Sequence, residues 1–137
     1  MKLNIRKLKD SDWDTLVELW DAWPDWKQHP TKDMLPENGT GGFIVEKNNI
    51  PIVAGFMYTT NSKIAWLEWV VSNINYKEKD RKDAIRLLIS GIEHVAKESG
   101  FKIIFSIGRN KSLMNIHKEL NYSIDNNTSY EIIKVIN

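Results

Sequence analysis

Glu68 carries the clearest chemical signal in the chain. Residues 64–70 alternate apolar side chains on both strand faces, and the Glu68 carboxylate shares a face with Trp66 and Val70. A carboxylate held beside tryptophan loses hydration, which raises its pKa toward that of a useful general base. The alternative is an ion pair with a lysine or arginine of a neighbouring element, which would only fix the strand. His117 is a candidate proton donor, its ordinary pKa being about 6.5; a plain surface position is the alternative. His94 falls off the apolar stripe of its helix and reads as solvent-facing. Trp20, Trp23, Trp26 and His29 cluster across a helix end and a loop. Such rings can frame an amine-bearing or planar ligand, or two of the tryptophans can simply pack the first helix on a sheet. Trp23 and Trp26, which flank Pro24-Asp25, are the pair expected to be exposed.

These residues need elements to position them. Leu3, Ile5 and Leu8 alternate with charges as in a first strand, and Asp10-Ser11-Asp12 supplies acceptors for a helix start. Trp13, Leu16, Val17, Leu19 and Trp20 then follow helical spacing until Pro24. Residues 24–42 read as loop, with one helical turn near 31–35. Strands over 43–47, 52–59 and 63–72, with turns at Asn48-Asn49 and Asn61-Ser62, make an antiparallel meander. A charged stretch, 75–83, leads into the longest helix, marked by Ala84, Ile85, Leu88, Ile89, Ile92, Val95 and Ala96 and closed by Gly100. A strand over 101–107, a helix over 112–120 and a hairpin of 122–124 with 129–136 complete the order. Strand, helix and strand in succession imply a right-handed crossover between parallel strands.

This order, over essentially the whole chain, resembles that of the GNAT (GCN5-related N-acetyltransferase) family. The most specific match is Arg109-Asn110-Lys111-Ser112-Leu113-Met114-Asn115-Ile116-His117-Lys118-Glu119-Leu120-Asn121-Tyr122, which resembles the family's Asn-x-x-Ala-x-x-Leu-Tyr-x-Lys-Leu-Gly-Phe. Asn110, Ile116, Leu120 and Tyr122 are in register. Asn121 stands at the family's glycine, as the next-best residue for a left-handed helix end. His117 stands at the family's frequent acid tyrosine, with Tyr122 and Tyr76 as weaker alternates for that role.

The second match is Lys79-Asp80-Arg81-Lys82-Asp83-Ala84, at the loop where the family reads Arg or Gln, two residues, Gly, one residue, then Gly or Ala. There, backbone N–H groups at a helix N-terminus face a pyrophosphate. Only Ala84 agrees strictly. Lys79 replaces arginine as a point charge, Lys82 replaces glycine, and Asp80 and Asp83 bring carboxylates to the loop.

The resemblance implies one GNAT domain over residues 1–137. It implies a mixed α/β sheet of six to seven strands, splayed between the fourth and fifth, with about four helices. It implies acetyl-CoA as co-substrate and an amine-bearing acceptor. Acetyl transfer needs a neutral amine, a stabilised carbonyl oxygen and a proton for the departing thiolate. Glu68 would serve as base, His117 as acid, and a backbone N–H near Val70 and Val71 as oxyanion donor. Residues 79–84 and Asn110 would hold the cofactor, and Trp23, Trp26 and His29 the acceptor. A carboxylate of Asp80 or Asp83 filling the phosphate site would instead mark a non-catalytic binding module.

Composition narrows the remaining classes. The 137 residues carry a net charge of +1 and no cysteine. Disulfides, thiolate metal sites and a cysteine nucleophile are excluded, so transfer within a ternary complex is expected, in a reducing, cytoplasmic setting. No apolar run approaches the roughly 18 residues that span a bilayer, and no metal site is expected. Near-neutral charge argues against nucleic acid, which would require Lys2, Arg6, Lys27 and Lys32 to gather on one face. The edge of the last hairpin is a candidate homodimer contact.

Overall fold

The computed structural model describes residues 2–26, 28–108, 110–125, 127 and 129–136. Five strands form one mixed sheet in the order β1 (Asn4–Lys7), β2 (Gly42–Lys47), β3 (Ile50–Thr59), β4 (Ile64–Ser72), β5 (Ile103–Ser106). The first four are antiparallel neighbours, and β5 runs parallel to β4. The expected Asn48-Asn49 turn is present. Both residues have positive φ, the conformation of a tight hairpin turn that asparagine tolerates.

Among the described residues three α-helices cover the sheet: α1 (Trp13–Asp21), α2 (Arg81–Glu98) and α3 (Lys111–Glu119). The alternation of β2 and β3 sends Ile44, Ala54 and Phe56 to the α1 side, where Leu16, Leu19 and Trp20 meet them. Val45 and Val53 go to the other side, against Ala84, Leu88, Ile89 and Ile92 of α2, and adjacent Ile52 joins them at the register shift between β2 and β3. The stripe read from the sequence is therefore the buried face of α2. Among the described residues of 24–41, short 3₁₀ turns at Lys32–Met34 and Pro36–Gly39 are the regular elements.

The helix ends follow their local chemistry. Asn110 caps α3, its Oδ1 accepting the Leu113 N–H at 3.1 Å. At the other end Asn121 has φ 71°, while the N–H of Tyr122 reaches the His117 carbonyl and that of Asn121 the Lys118 carbonyl, both at 3.0 Å. This is the left-handed ending for which glycine or asparagine is suited.

The expected count of six to seven strands and four helices is corrected to five strands and three α-helices among the described residues. The difference in strands lies in the last hairpin, and outside the three α-helices the helical segments are short 3₁₀ turns. Asp125 does turn the chain, accepting the Asn127 N–H at 2.9 Å, but 122–124 and 129–136 form no strand among the described residues. Tyr130, Ile132, Ile133, Val135 and Ile136 are 78% to 95% exposed. Strand propensity expresses packing against neighbours, and these side chains are not packed on an apolar surface among the described residues. Asn126, Thr128, Lys27 and Arg109 lie outside the described residues.

β1 is tied to the start of α1 through charge. Arg6 donates to both oxygens of Asp12 at 2.8 Å and to Glu46 on β2 at 2.9 Å. The guanidinium holds the Asp12 carboxyl below the usual carboxylate range, helped by the Lys9 N–H. Arg6 is thus committed within the fold, and Lys32 lies over the Trp13 ring. A carboxylate with a depressed folded pKa contributes stability above its unfolded pKa and loses it as pH falls through the folded one. Arg6→Gln should therefore cost about 1–2 kcal/mol at pH 7. The gap to the parent should narrow below about pH 4, as urea unfolding at a series of pH values would show.

Candidate functional site

The site begins with a mismatch between two strands. Ala54 pairs with Val71 and Phe56 with Glu68, so Gly55 alone faces both Trp69 and Val70. Trp69 takes the extra residue's place with φ 58°, a left-handed conformation that costs a bulky residue on the order of 1–3 kcal/mol. Its ring explains how the bulge persists. It meets Trp26 at 5.5 Å and stands edge-on to buried Trp20 at 6.4 Å, inside the α1-side core.

The bulge ends the pairing of β4 with β5. The parallel register runs from Ile64 with Ile103 to Leu67 with Ser106 and goes no further. Beyond it lies a cavity of about 390 Å³. Glu68, Val70, Val71 and Ser72 of β4 form one wall, with Arg81 and Ile85 of α2, Ser106 and Ile107, and Asn110, Ser112 and Leu113 around the rest. Trp23, Asp25 and Trp26 close the α1 side. The fourth and fifth strands thus part beyond Leu67 and Ser106, where the GNAT resemblance implies a splay.

Two contacts fix this mouth. The Trp23 indole N–H donates to the Ser72 carbonyl at 2.7 Å, and Arg81 Nη2 donates to the Ser72 hydroxyl at 2.7 Å. Ser72 therefore joins the tryptophan loop to the first turn of α2. Glu68 Oε1 accepts the N–H of Trp69 at 3.0 Å, which engages that amide within the bulge.

At the start of α2, Asp80 sits at the N-cap position, but its carboxylate makes no cap bond. It turns instead to Lys47 Nζ at 2.8 Å and the Tyr76 hydroxyl at 2.6 Å, which hold it below the usual carboxylate range. Asp83 pairs with Arg86 at 3.1 Å. Neither carboxylate lines the cavity. Lys79 and Lys82 are exposed nearby, Ala84 is buried in the core, and the one member of 79–84 on the cavity wall is Arg81.

The structure brings together Glu68, Val70, Val71, Arg81, Asn110, Trp23 and Trp26 of the residues singled out in the sequence. It does not bring His29 or His117. His29 packs at 6.0 Å from Trp13 and 6.4 Å from Trp20, behind the cavity wall. His117 is buried edge-on to Tyr122, with ring centres 4.8 Å apart, and burial lowers its pKa. Its Nδ1 lies 3.0 Å from the Leu113 carbonyl, which can only accept, so Nδ1 carries the proton. Nε2 is then a bare nitrogen, buried and without a partner among the described residues. The sequence reading missed Asp25, Ser72, Ser106 and Ser112. Asp25 was signalled by its place between two loop tryptophans, whereas the serines depend on where the strands part.

No protein-family model and no curated protein matches the chain. Solved structures do. One is an aminoglycoside acetyltransferase from an uncultured soil metagenomic sample, in complex with trehalose. It is 13% identical, with 98% of this chain and 97% of that one covered and a TM-score of 0.69. AAC(6')-Iy, in complex with the bisubstrate analogue CoA-S-monomethyl-acetylneamine, is 14% identical over 98% of this chain and 100% of that one, at a TM-score of 0.70. N-acetylglutamate synthase from Neisseria gonorrhoeae, complexed with coenzyme A and N-acetyl-glutamate, is 12% identical. The match covers 86% of this chain and 28% of that one, at a TM-score of 0.70. The chain therefore has the fold of these acetyltransferases, as its resemblance to the GNAT family predicts.

The bulge is open to a direct structural test. A Cβ on Gly55 would lie 3.1 Å from Val70 Cγ2 and 3.2 Å from Leu88 Cδ2, tighter than ordinary contact. Gly55→Ala should lower stability by about 1–3 kcal/mol, read as a lower urea midpoint at unchanged slope.

Proposed function

We propose that the chain is an acyl-CoA-dependent N-acyltransferase, with acetyl-CoA as donor and an amine as acceptor. The observation that carries this reading is the bulge at Trp69 and Val70, which opens a cavity between β4 and β5 with the start of α2 at its edge. The residues fit the cofactor. An uncapped first helical turn offers backbone N–H groups to a pyrophosphate, Arg81 adds charge, and Asp80 is drawn aside by Lys47. Lys79 and Lys82 flank that turn, and Asn110 stands on the far wall.

In this reading the backbone N–H groups around Val70 and Val71 polarise the thioester carbonyl oxygen. Glu68 takes the proton that makes an incoming ammonium a neutral amine. The amine nitrogen attacks the carbonyl carbon. As the C–N bond forms and the C–S bond breaks, the sulfur would leave as thiolate and take up the second proton that the nitrogen sheds, while Glu68 returns the first to solvent. Trp23 and Trp26 frame the acceptor. His117, with its bare Nε2, is better suited to shaping α3 than to protonating sulfur, and a thiolate leaving group with a pKa near 8.5 needs little help. The binding-module reading required Asp80 or Asp83 in the cavity, and both are paired elsewhere.

Calorimetric titration with acetyl-CoA tests the reading. Micromolar affinity, about 8 kcal/mol, is expected for the parent chain. Arg81→Ala should weaken it about tenfold, as should Lys79→Ala combined with Lys82→Glu. Glu68→Gln should keep cofactor affinity and lower kcat by about 100-fold or more. No binding of acetyl-CoA or any other acyl-CoA would overturn the proposal.

A further inference from the structure

Asp80 stands at the N-cap of α2 without capping it. An aspartate there normally turns its carboxylate onto the N–H groups two or three residues on, which here are those of Lys82 and Asp83. Neither receives it. The Arg81 N–H reaches the Glu78 carbonyl at 3.2 Å, and the Asp80 carbonyl accepts the Ala84 N–H at 2.9 Å. Between them the amides of Lys82 and Asp83 have no acceptor among the described residues. The same turn borders the cavity through Arg81 and Ile85.

The carboxylate is held away by groups from two other parts of the chain. Its Oδ2 takes the Lys47 ammonium at 2.8 Å and its Oδ1 the Tyr76 hydroxyl at 2.6 Å, so each oxygen has its own partner. The fold fixes both partners independently of Asp80. Lys47 ends β2 immediately before the left-handed Asn48-Asn49 turn, on the strand face that Val45 presents to α2. The Tyr76 ring is buried in the α2-side core, and its backbone N–H donates to the Asn73 carbonyl at 3.1 Å. A released Asp80 would find two open amides within its own helical turn. There it would oppose a pyrophosphate twice, by occupying the donors and by charge repulsion. Neither Lys47 nor Tyr76 lines the cavity, so their effect on a bound cofactor would pass through Asp80.

We infer that Lys47 and Tyr76 are positioning residues for the cofactor: by clamping one oxygen each of Asp80, they keep the N–H groups of Lys82 and Asp83 open to pyrophosphate. The inference rests on the transferase reading for what those amides receive, while the clamp itself is a property of the free chain. An acidic residue at the mouth of an anion site is thereby made compatible with it, through a lysine 33 residues earlier in the sequence.

Calorimetry with acetyl-CoA and amide hydrogen exchange on the free chain test it together. Lys47→Met should weaken acetyl-CoA binding at least about fivefold, and Tyr76→Phe, which frees one oxygen, should weaken it less. In an Asp80→Ala background, Lys47→Met should change the affinity by less than about twofold, because no carboxylate remains to be held away. Without cofactor, exchange of the Lys82 and Asp83 amides should slow in Lys47→Met and return to the parent rate when Asp80→Ala is added. Unchanged affinity in Lys47→Met overturns the inference. So does a loss that persists in full in the Asp80→Ala background, which would mean that Lys47 meets phosphate directly or only supports the fold. If the parent chain binds no acyl-CoA, the transferase reading falls and the exchange measurement decides the clamp by itself: slowed amides in Lys47→Met leave it standing, and unslowed amides overturn it.

Discussion

The architecture depends on one extra residue. β4 carries Trp69 where β3 offers only Gly55, and a strand that must accommodate two residues against one bends and twists away from its path. Three features follow from that bend. Pairing with β5 stops at Leu67 and Ser106, backbone amides past Glu68 are released from the parallel ladder, and space opens on the line from Glu68 to Ser72. By strand rise this line is roughly 13 Å long. Glycine at position 55 is what allows Val70 and Leu88 to close over the mismatch.

Strain of this kind persists only when its surroundings fix it. The tryptophan layer does so. Trp20 is buried against Phe56, Trp69 meets Trp20 and Trp26, and Trp23 is hydrogen-bonded to the end of β4. On the other side of the sheet, the interlocked face of α2 holds the same strand through Leu67 and Leu88. The left-handed residue therefore sits between two packed layers, and its ring is part of one of them.

Much of this was legible in the sequence because periodicity reports burial. The meander, the stripe of α2, the asparagine turn at 48–49 and the left-handed end at Asn121 all follow from local patterns that the fold reinforces. The last hairpin was misread because alternation in 129–136 signals a strand only if a surface waits to receive it. For His117 register shows only its place in the helix: that place is as expected, while the ring turns to Leu113 and Tyr122, which register alone does not reveal. Asp80 shows the same limit in the other direction. A carboxylate at a helix start suggests a cap, and only the three-dimensional approach of Lys47 and Tyr76 reveals that it is held elsewhere. Trp69 gave no sequence signal of its left-handed backbone, since tryptophan is among the least suited residues for it.

The sharing of Trp69 between core and cavity constrains how such a protein can change over evolutionary time. Its ring is gripped by Trp26, which also borders the pocket, so remodelling Trp26 to admit a different ligand would loosen the support of the bulge as well. Selectivity altered by that route would carry a loss of geometry for every ligand at once. Asp25 has no place in the ring stack. Divergence in ligand preference within a lineage of this protein would then fall on pocket positions outside the ring stack, with the tryptophans drifting far more slowly than pocket residues usually do.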